Sequence, residues 1–405
     1  MARRLQLVST LSGCEYPFER IEEFADNGES LEVQISDIDR AKVREGRHLW
    51  ERFADFLPFT NADAGVSLGE GNTPLMAAGD QLQALTGVGN LLLKNETQNP
   101  TWSFKDRGSL ACMFLARELR EDTVATISTG NMGHSVAAYA AKAGLAAVVF
   151  VPTFAPQEKL MAMAMHGAHV LKVAAPDYAE MKNRVLGLAG RLKLRIVSGN
   201  GPIRVEGYKL TAFELFEQMR GKVPDFVAVP TSACGHIRGV FKGYRELQAA
   251  GLIDRLPRMI VVQAHNNSPV VTAMKRGLSQ VVPFRDFHTI AEAITSGNPA
   301  GGDEILDKAR RFDWLGEDAT EEEILEAQRA FARAGFFVEP STATVLPAVR
   351  KLVEAGRINR DASVVLMLTG AGLKDLDALK YQPCGGVIES DVETVEADLR
   401  SVLGR

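Results

Sequence analysis

Cysteine is scarce in this 405-residue chain: Cys14, Cys112, Cys234 and Cys384 lie far apart and form no CxxC pair. Such spacing supports neither a zinc ribbon nor a disulfide framework, so a reducing compartment is expected. No stretch approaches the ~18 apolar residues of a membrane span. The start "MARRLQLVSTLSG" is basic, but its apolar run is too short and interrupted for a signal peptide. A cytoplasmic protein without a membrane partner is expected. Charge of one sign is also missing: 46 Lys and Arg stand against 51 Asp and Glu, a net charge of -5. Nucleic acid is therefore not an expected partner, and a small molecule is. No GxxxxGK[ST] occurs, and "GVGNLL", "GEGNTP" and "GAGLKD" each lack a glycine of GxGxxG, which argues against a nucleotide fold. His134, His166, His169, His236 and His265 show no metal-ligand spacing, and His166 and His169 read as ordinary helix and strand residues.

What the chain does have is apolar content, 46% of its residues, enough for a sizeable core and two α/β lobes. Beyond a mixed, charged N-terminal segment, β-branched runs alternate with helically spaced stretches. The runs are "VATIS" (124–128), "AAVVFVP" (146–152), "HVLKVA" (169–174) and "LRIVSG" (194–199), followed by "FVAVP" (226–230), "MIVVQA" (259–264) and "VVLMLTG" (364–370). That alternation predicts parallel sheets flanked by helices, with a ligand cleft between the lobes. The terminal "DVETVEADLRSVLGR" puts Val392, Val395, Leu399, Val402 and Leu403 on one helical face, expected to dock on the body or on a second subunit.

The chemistry centres on "QNPTWSFKDRG" (98–108). Ala111, Phe114, Leu115 and Leu119 predict a helix, with Ser103 as its N-cap and Lys105 in its first turn. The positive end of a helix dipole disfavours an ammonium there, which makes available the neutral amine that attacks a carbonyl. A solvated Lys105 paired with Asp106 or Glu96 is the local alternative. Two further segments, "ISTGNMGHS" (127–135) and "VPTSACGHIRG" (229–239), each run strand, small polar loop, helix. That geometry presents backbone N–H groups to an anion. "VVLMLTGAGLKD" places Thr369 at the end of a strand, the edge where open α/β sheets bind ligands.

The motifs "NPTWSFKDRG", "STGNMGHSVAAYAAKAG", "RVEGYKLTAFEL", "FKGYREL", "GNPA" (297–300), "EPSTA" (339–343) and "LTGAGLKD" stand in an order that resembles the threonine synthases, pyridoxal-phosphate enzymes of the tryptophan-synthase-β-like fold type II. The likeness runs from about residue 49 to 375. It implies pyridoxal 5'-phosphate as cofactor, conversion of O-phospho-L-homoserine and water to L-threonine and phosphate, and a homodimer. It also implies an N-terminal extension (1–65), a large cofactor-binding lobe (66–105 and 200–385), a smaller mobile lobe (106–199) and a C-terminal helix (386–405). By the same resemblance Lys105 is the Schiff-base lysine and general base, and Asn131 binds the cofactor's ring hydroxyl. Ser232, Ala233, Cys234, Gly235 and His236 cradle its phosphate, and Thr369 partners the pyridine nitrogen. Thr101, Ser103, Ser128 and Thr129 line the substrate site, and Arg204 grips the substrate phosphate. On local sequence alone Asn131 could cap a helix, Thr369 could end a strand, and Arg204 could be a surface ion pair.

Three departures stand out. Trp102 replaces a glycine usual in the family. Only Gly235 remains of a glycine-rich phosphate loop, so Thr231, Ser232 and His236 become candidate donors in its place. "SGNGPIR" has lost an amide and a hydroxyl while keeping Arg204. These departures keep open a β-elimination or β-replacement enzyme of the same fold, or a non-catalytic cofactor-binding relative.

Overall fold

The computed structural model describes residues 5–18, 24–128, 130–153, 155, 157–175, 178–192, 194–285, 287–382 and 390–404. Three sheets organise them. The first is antiparallel, with β1 (Leu5–Ser9) between β2 (Glu15–Pro17) and β3 (Leu31–Ile35). The second joins β4 (Leu75–Ala77), β5 (Asn90–Asn95), β9 (Phe226–Pro230), β10 (Arg258–Ala264), β11 (Leu315–Ala319) and β12 (Ser363–Leu368) in the order β11-β10-β9-β12-β5-β4. Its strands are parallel except β4, which closes one edge antiparallel to β5. The third is parallel, β6 (Thr123–Ile127), β7 (Ala146–Pro152) and β8 (His169–Val173).

The central strands are buried along their length: β9 is fully buried and β12 exposes only part of Ser363. Continuous apolar runs of this kind need cover on both faces, which helices supply. The expected strands therefore appear with small shifts in their ends. The exception is "LRIVSG", where only Ile196 bridges β6, through Ala125.

Five helices carry or flank the candidate residues: α1 (Lys105–Glu118), α2 (Asn131–Ala143), α3 (Gln157–Met165), α4 (Pro202–Tyr208) and α5 (Gly235–Ala249). The expected apolar face of α1 is inside at Ala111, Phe114 and Leu115, whereas Leu119 is exposed. α1 and α4 cross at backbone distance. A Cβ on Gly207 would lie 2.1 Å from the Arg107 carbonyl oxygen, and one on Gly108 would meet Arg204 and Tyr208. This close approach holds Lys105, at the start of α1, beside Arg204 in the first turn of α4.

Ser103 is not the N-cap. Phe104 occupies that place; its phenyl ring has no acceptor for a cap bond, and its own N–H donates to the Thr369 carbonyl, 3.0 Å away on the neighbouring segment. The C-terminal helix α6 (Val395–Leu403) does not dock on the body either. Val392, Val395, Leu399, Val402 and Leu403 are each more than half exposed. The N-terminal sheet does pack: Leu7, Leu31 and Val33 are buried in the main core.

Candidate active site

Three segments converge at the C-terminal edge of the large sheet. Residues 101–105 meet the end of β12 through a bridge between Ser103 and Gly370, and 338–342 join through a bridge between Val338 and Ala371. At this junction Gly370 has no room for a side chain, since a Cβ would sit 2.4 Å from a Glu339 carboxylate oxygen.

Lys105 stands here with no ion pair or hydrogen bond from its amine among the described residues, its Nζ 4.4 Å from the centre of the Phe104 ring. Neither alternative partner is available. Glu96 is bound by Arg107 (2.6 and 2.7 Å), and Asp106 accepts from the Thr101 N–H (2.6 Å), the Thr101 hydroxyl and the Ser135 hydroxyl (2.6 Å). Burial lowers the Lys105 amine to about 7, and the Arg204 guanidinium pushes the same way against the pull of Glu339. Desolvation therefore does most of what the helix dipole was expected to do. Asp106 is pushed up to about 6 by burial, in spite of its three donors.

The other expected residues fall into three groups. The first surrounds the amine. Ser103 is buried with its hydroxyl unpartnered. Arg204 is buried, its Nη1 reaching the Ser109 hydroxyl (3.3 Å) and the Lys105 carbonyl (3.4 Å), its Nε and Nη2 without partners. Thr369 shares a 2.8 Å hydroxyl contact with Thr342. Trp102 sits beside them with φ of +63° and half-exposed, a backbone conformation natural to the glycine it replaces.

The second group begins α2. The Ser128 hydroxyl accepts from the N–H groups of Gly130 (3.3 Å) and Gly133 (3.1 Å), organising the loop. Asn131 donates its amide to Glu339 at 2.9 and 3.2 Å, which carries it across to the large sheet. Thr129 lies outside the described residues.

The third group is the start of α5. Cys234 takes a left-handed turn, φ +75°, that aims the first N–H groups of the helix forward. Gly235 presses so closely on the 199–200 backbone that a Cβ would lie 2.2 Å from the Gly199 oxygen. Ser232 accepts from the Ser296 N–H (3.3 Å), and Ala233 follows it in the loop. One of the candidate donors is otherwise engaged. Thr231 donates its hydroxyl to the Val229 carbonyl at 2.8 Å. The His236 ring stacks on Phe104 at 3.8 Å and meets Tyr208 edge-on, so it serves as a wall behind Lys105. Burial holds that imidazole neutral, its value lowered to about 3, with both nitrogens unpartnered.

Sequence reasoning missed Glu339, which was quoted only inside "EPSTA", and Lys374, inside "LTGAGLKD". The carboxylate of Glu339 takes Asn131 from one side and the Ser341 hydroxyl (2.7 Å) from the other. A Glu opening a run of small hydroxyl residues was the available signal. A buried amine without a partner among the described residues, a buried guanidinium facing no carboxylate there, an orphaned serine hydroxyl and a 15-residue helix opening through a tight turn suit an aldehyde that also carries a phosphate. These residues fit pyridoxal phosphate.

The comparisons agree with that geometry. Residues 66–370 match the model of the pyridoxal-phosphate dependent enzymes. The solved structures of tomato threonine deaminase isoform 2 (TM-score 0.66, 20% identity, covering 84% of this chain and 94% of that one) and maize serine racemase (0.65, 19%, 90% and 98%) share the fold. The threonine synthase of Methanocaldococcus jannaschii is 37% identical over 352 residues, 86% of each chain, and that of Methanosarcina acetivorans 36% over 374 residues, 92% of this chain and 89% of its own. The chain belongs to the pyridoxal-phosphate-dependent enzymes of fold type II and, among them, to the threonine synthase family.

Proposed function

We propose that this protein converts O-phospho-L-homoserine and water to L-threonine and phosphate. The observation that carries the reading is the placing of Lys105 beside Arg204: a buried amine lowered to about 7 next to a buried guanidinium that pairs with no carboxylate among the described residues. Bound pyridoxal phosphate supplies the electron sink for charge that develops beside the substrate's amino carbon. Lys105 would hold it through Nζ, and the start of α5 would take its phosphate. With its Nζ freed by the incoming substrate amine, Lys105 would accept the Cα proton and serve proton movement at Cβ. The planar fork of Arg204 binds the leaving phosphate dianion from inside the cleft, where low dielectric strengthens the contact. Ser103 and Thr101 line the amino-acid side, and Thr369, with Thr342, offers a neutral partner to the cofactor's ring nitrogen.

Two assays test the reading together: release of inorganic phosphate from O-phosphohomoserine and release of ammonia from threonine. Phosphate with threonine as product is expected, and ammonia alone would reject it. Lys105→Ala should lose the visible absorbance of bound cofactor and at least ~1,000-fold of turnover.

The same proposal includes a cytoplasmic homodimer. The exposed apolar stripe of α6, with Leu399 and Val402 more than half exposed, supports a second copy as its cover. Leu399→Glu should lower the mass seen by sedimentation equilibrium. An unchanged mass would remove α6 from the interface.

A further inference from the structure

Lys374, just beyond β12, is half-buried yet bonded to no carboxylate among the described residues. Its amine donates to the Thr101 carbonyl at 2.8 Å and approaches His134 Nδ1 at 3.0 Å. Both partners matter. Thr101 belongs to the loop that carries Lys105, and its own N–H and hydroxyl hold Asp106 in the first turn of α1. His134 lies in the first turn of α2, one position past the glycine whose N–H is held by Ser128 and three residues after Asn131. One ammonium thus joins the helix that starts at Lys105 to the helix that starts at Asn131.

The hydrogen-bond chemistry fixes the direction. An ammonium only donates, so His134 must present a bare Nδ1 and carry its proton on Nε2. That proton points to His166 Nε2, 3.3 Å away in the turn after α3. His166 must then accept at Nε2. The charges that act on Lys374 are Glu339 and Asp106, and those that act on His134 are Lys374 and His166. Burial holds His134 neutral, which is the form the contact needs.

We propose that Lys374 and His134 are positioning residues, a clamp that sets the separation of Lys105 and Asn131 and so the fit of the cofactor ring between them. The inference rests on the cofactor-binding roles given above to Lys105 and Asn131. It makes the imidazole of His134, in the loop "STGNMGHS", a contributor to cofactor affinity through its Nδ1 alone.

The test compares substitutions at His134. An Asn side chain places an amide oxygen near the Nδ1 position, Gln extends past it, and Leu removes the acceptor. The readout is the dissociation constant for pyridoxal 5'-phosphate, taken from absorbance and fluorescence titration of apoprotein, with far-UV circular dichroism alongside. His134→Leu and His134→Gln should weaken cofactor binding about tenfold, the effect of one charge-assisted hydrogen bond. His134→Asn should stay within about threefold of the wild type. His134→Leu combined with Lys374→Met should be no worse than Lys374→Met alone, because both remove one contact. If Asn is as damaging as Leu, or the double variant shows the sum of the single losses, the clamp is wrong. Should His134→Leu not fold, the comparison of Asn with Gln still decides. A wild-type protein that takes up no pyridoxal phosphate would instead bring down the roles of Lys105 and Asn131 themselves.

Discussion

Lys105 makes its chemistry and its cost from the same cause. Burial and Arg204 lower the folded amine to about 7, while in the unfolded chain it keeps an ordinary lysine value near 10.4. Between those values the unfolded state binds more protons, so the cofactor-free protein gains stability from this group as pH rises through the window. Below about 7 both states are protonated and the cost of burying the ammonium is present in full. Lys105→Met removes the group. Denaturant unfolding of the two apoproteins should therefore find the variant more stable at pH 6, with the difference closing as pH approaches 10. A difference that does not depend on pH would mean the amine is not desolvated. Trp102 offers a second, local test. At φ +63° a residue with a Cβ is strained by roughly 1–2 kcal/mol, and glycine is not. Trp102→Gly should be more stable to urea than Trp102→Ala by about 1 kcal/mol, although glycine normally loses such comparisons through unfolded-state entropy. The reverse order would show that the left-handed turn relaxes when the indole leaves.

At the scale of elements, the crossing of α1 and α4 is the least forgiving contact near the site. Gly207→Ala asks for a Cβ 2.1 Å from a backbone oxygen that cannot swing aside. The helices must separate, and a loss of roughly 3 kcal/mol or more is expected with cofactor affinity falling alongside. Gly190, in the helix Tyr178–Leu192, has nothing within 4 Å of its Cβ position. Gly190→Ala should stabilise by about 0.5–1 kcal/mol, which makes it the control for glycine substitution in a helix. Thermal or urea melting of both variants checks the pair. Elements of this kind also mark how far the sequence could be read. Strands such as β9 and β12 were legible because a fully buried parallel strand must be a continuous apolar run. The loops at Lys105, Asn131 and the start of α5 were legible through their order, which matches a family. What stayed hidden was pairing across distance. No local pattern tells that Asn131 meets Glu339 more than two hundred residues on, that His236 stacks on Phe104 instead of facing solvent, or that Thr369 pins Phe104 and displaces Ser103 from the cap. The C-terminal stripe was read correctly as a stripe. Its lack of cover within the chain depends on the rest of the surface, which periodicity cannot describe.

For the whole molecule, the buried charges around α1 decide how the site survives acid. Arg107 holds Glu96 and, at 2.9 Å, Glu214, and Glu214 in turn binds Lys94 on β5. The group ties α1 to the large sheet and to the helix Leu210–Gln218, with Thr73 hydrogen-bonded to both carboxylates. Burial alone would raise Glu96, but Arg107, through its charge and hydrogen bonds, and Lys94 outweigh it and lower the carboxyl to about 2. Glu214 is lowered in the same way, with burial opposed by Arg107 and Lys94. A carboxylate lowered on folding stabilises the protein fully above its unfolded value, near 4.3. The contribution disappears as pH falls from there toward 2, because the unfolded chain takes up its proton first. Asp106 runs the other way: raised to about 6, it favours the folded state as pH falls from 6 toward 4. The two together place the acid collapse below pH 4. Glu96→Gln removes the charge and leaves Arg107 under-compensated in the interior, at a cost of about 3 kcal/mol at pH 7. Urea unfolding across pH should show that gap constant from 7 down to about 5, then narrowing, and nearly closed at pH 2.5. A gap of equal size at pH 7 and pH 2.5 would mean that the loss is one of packing, and that the charges around α1 do not hold Lys105 against the sheet.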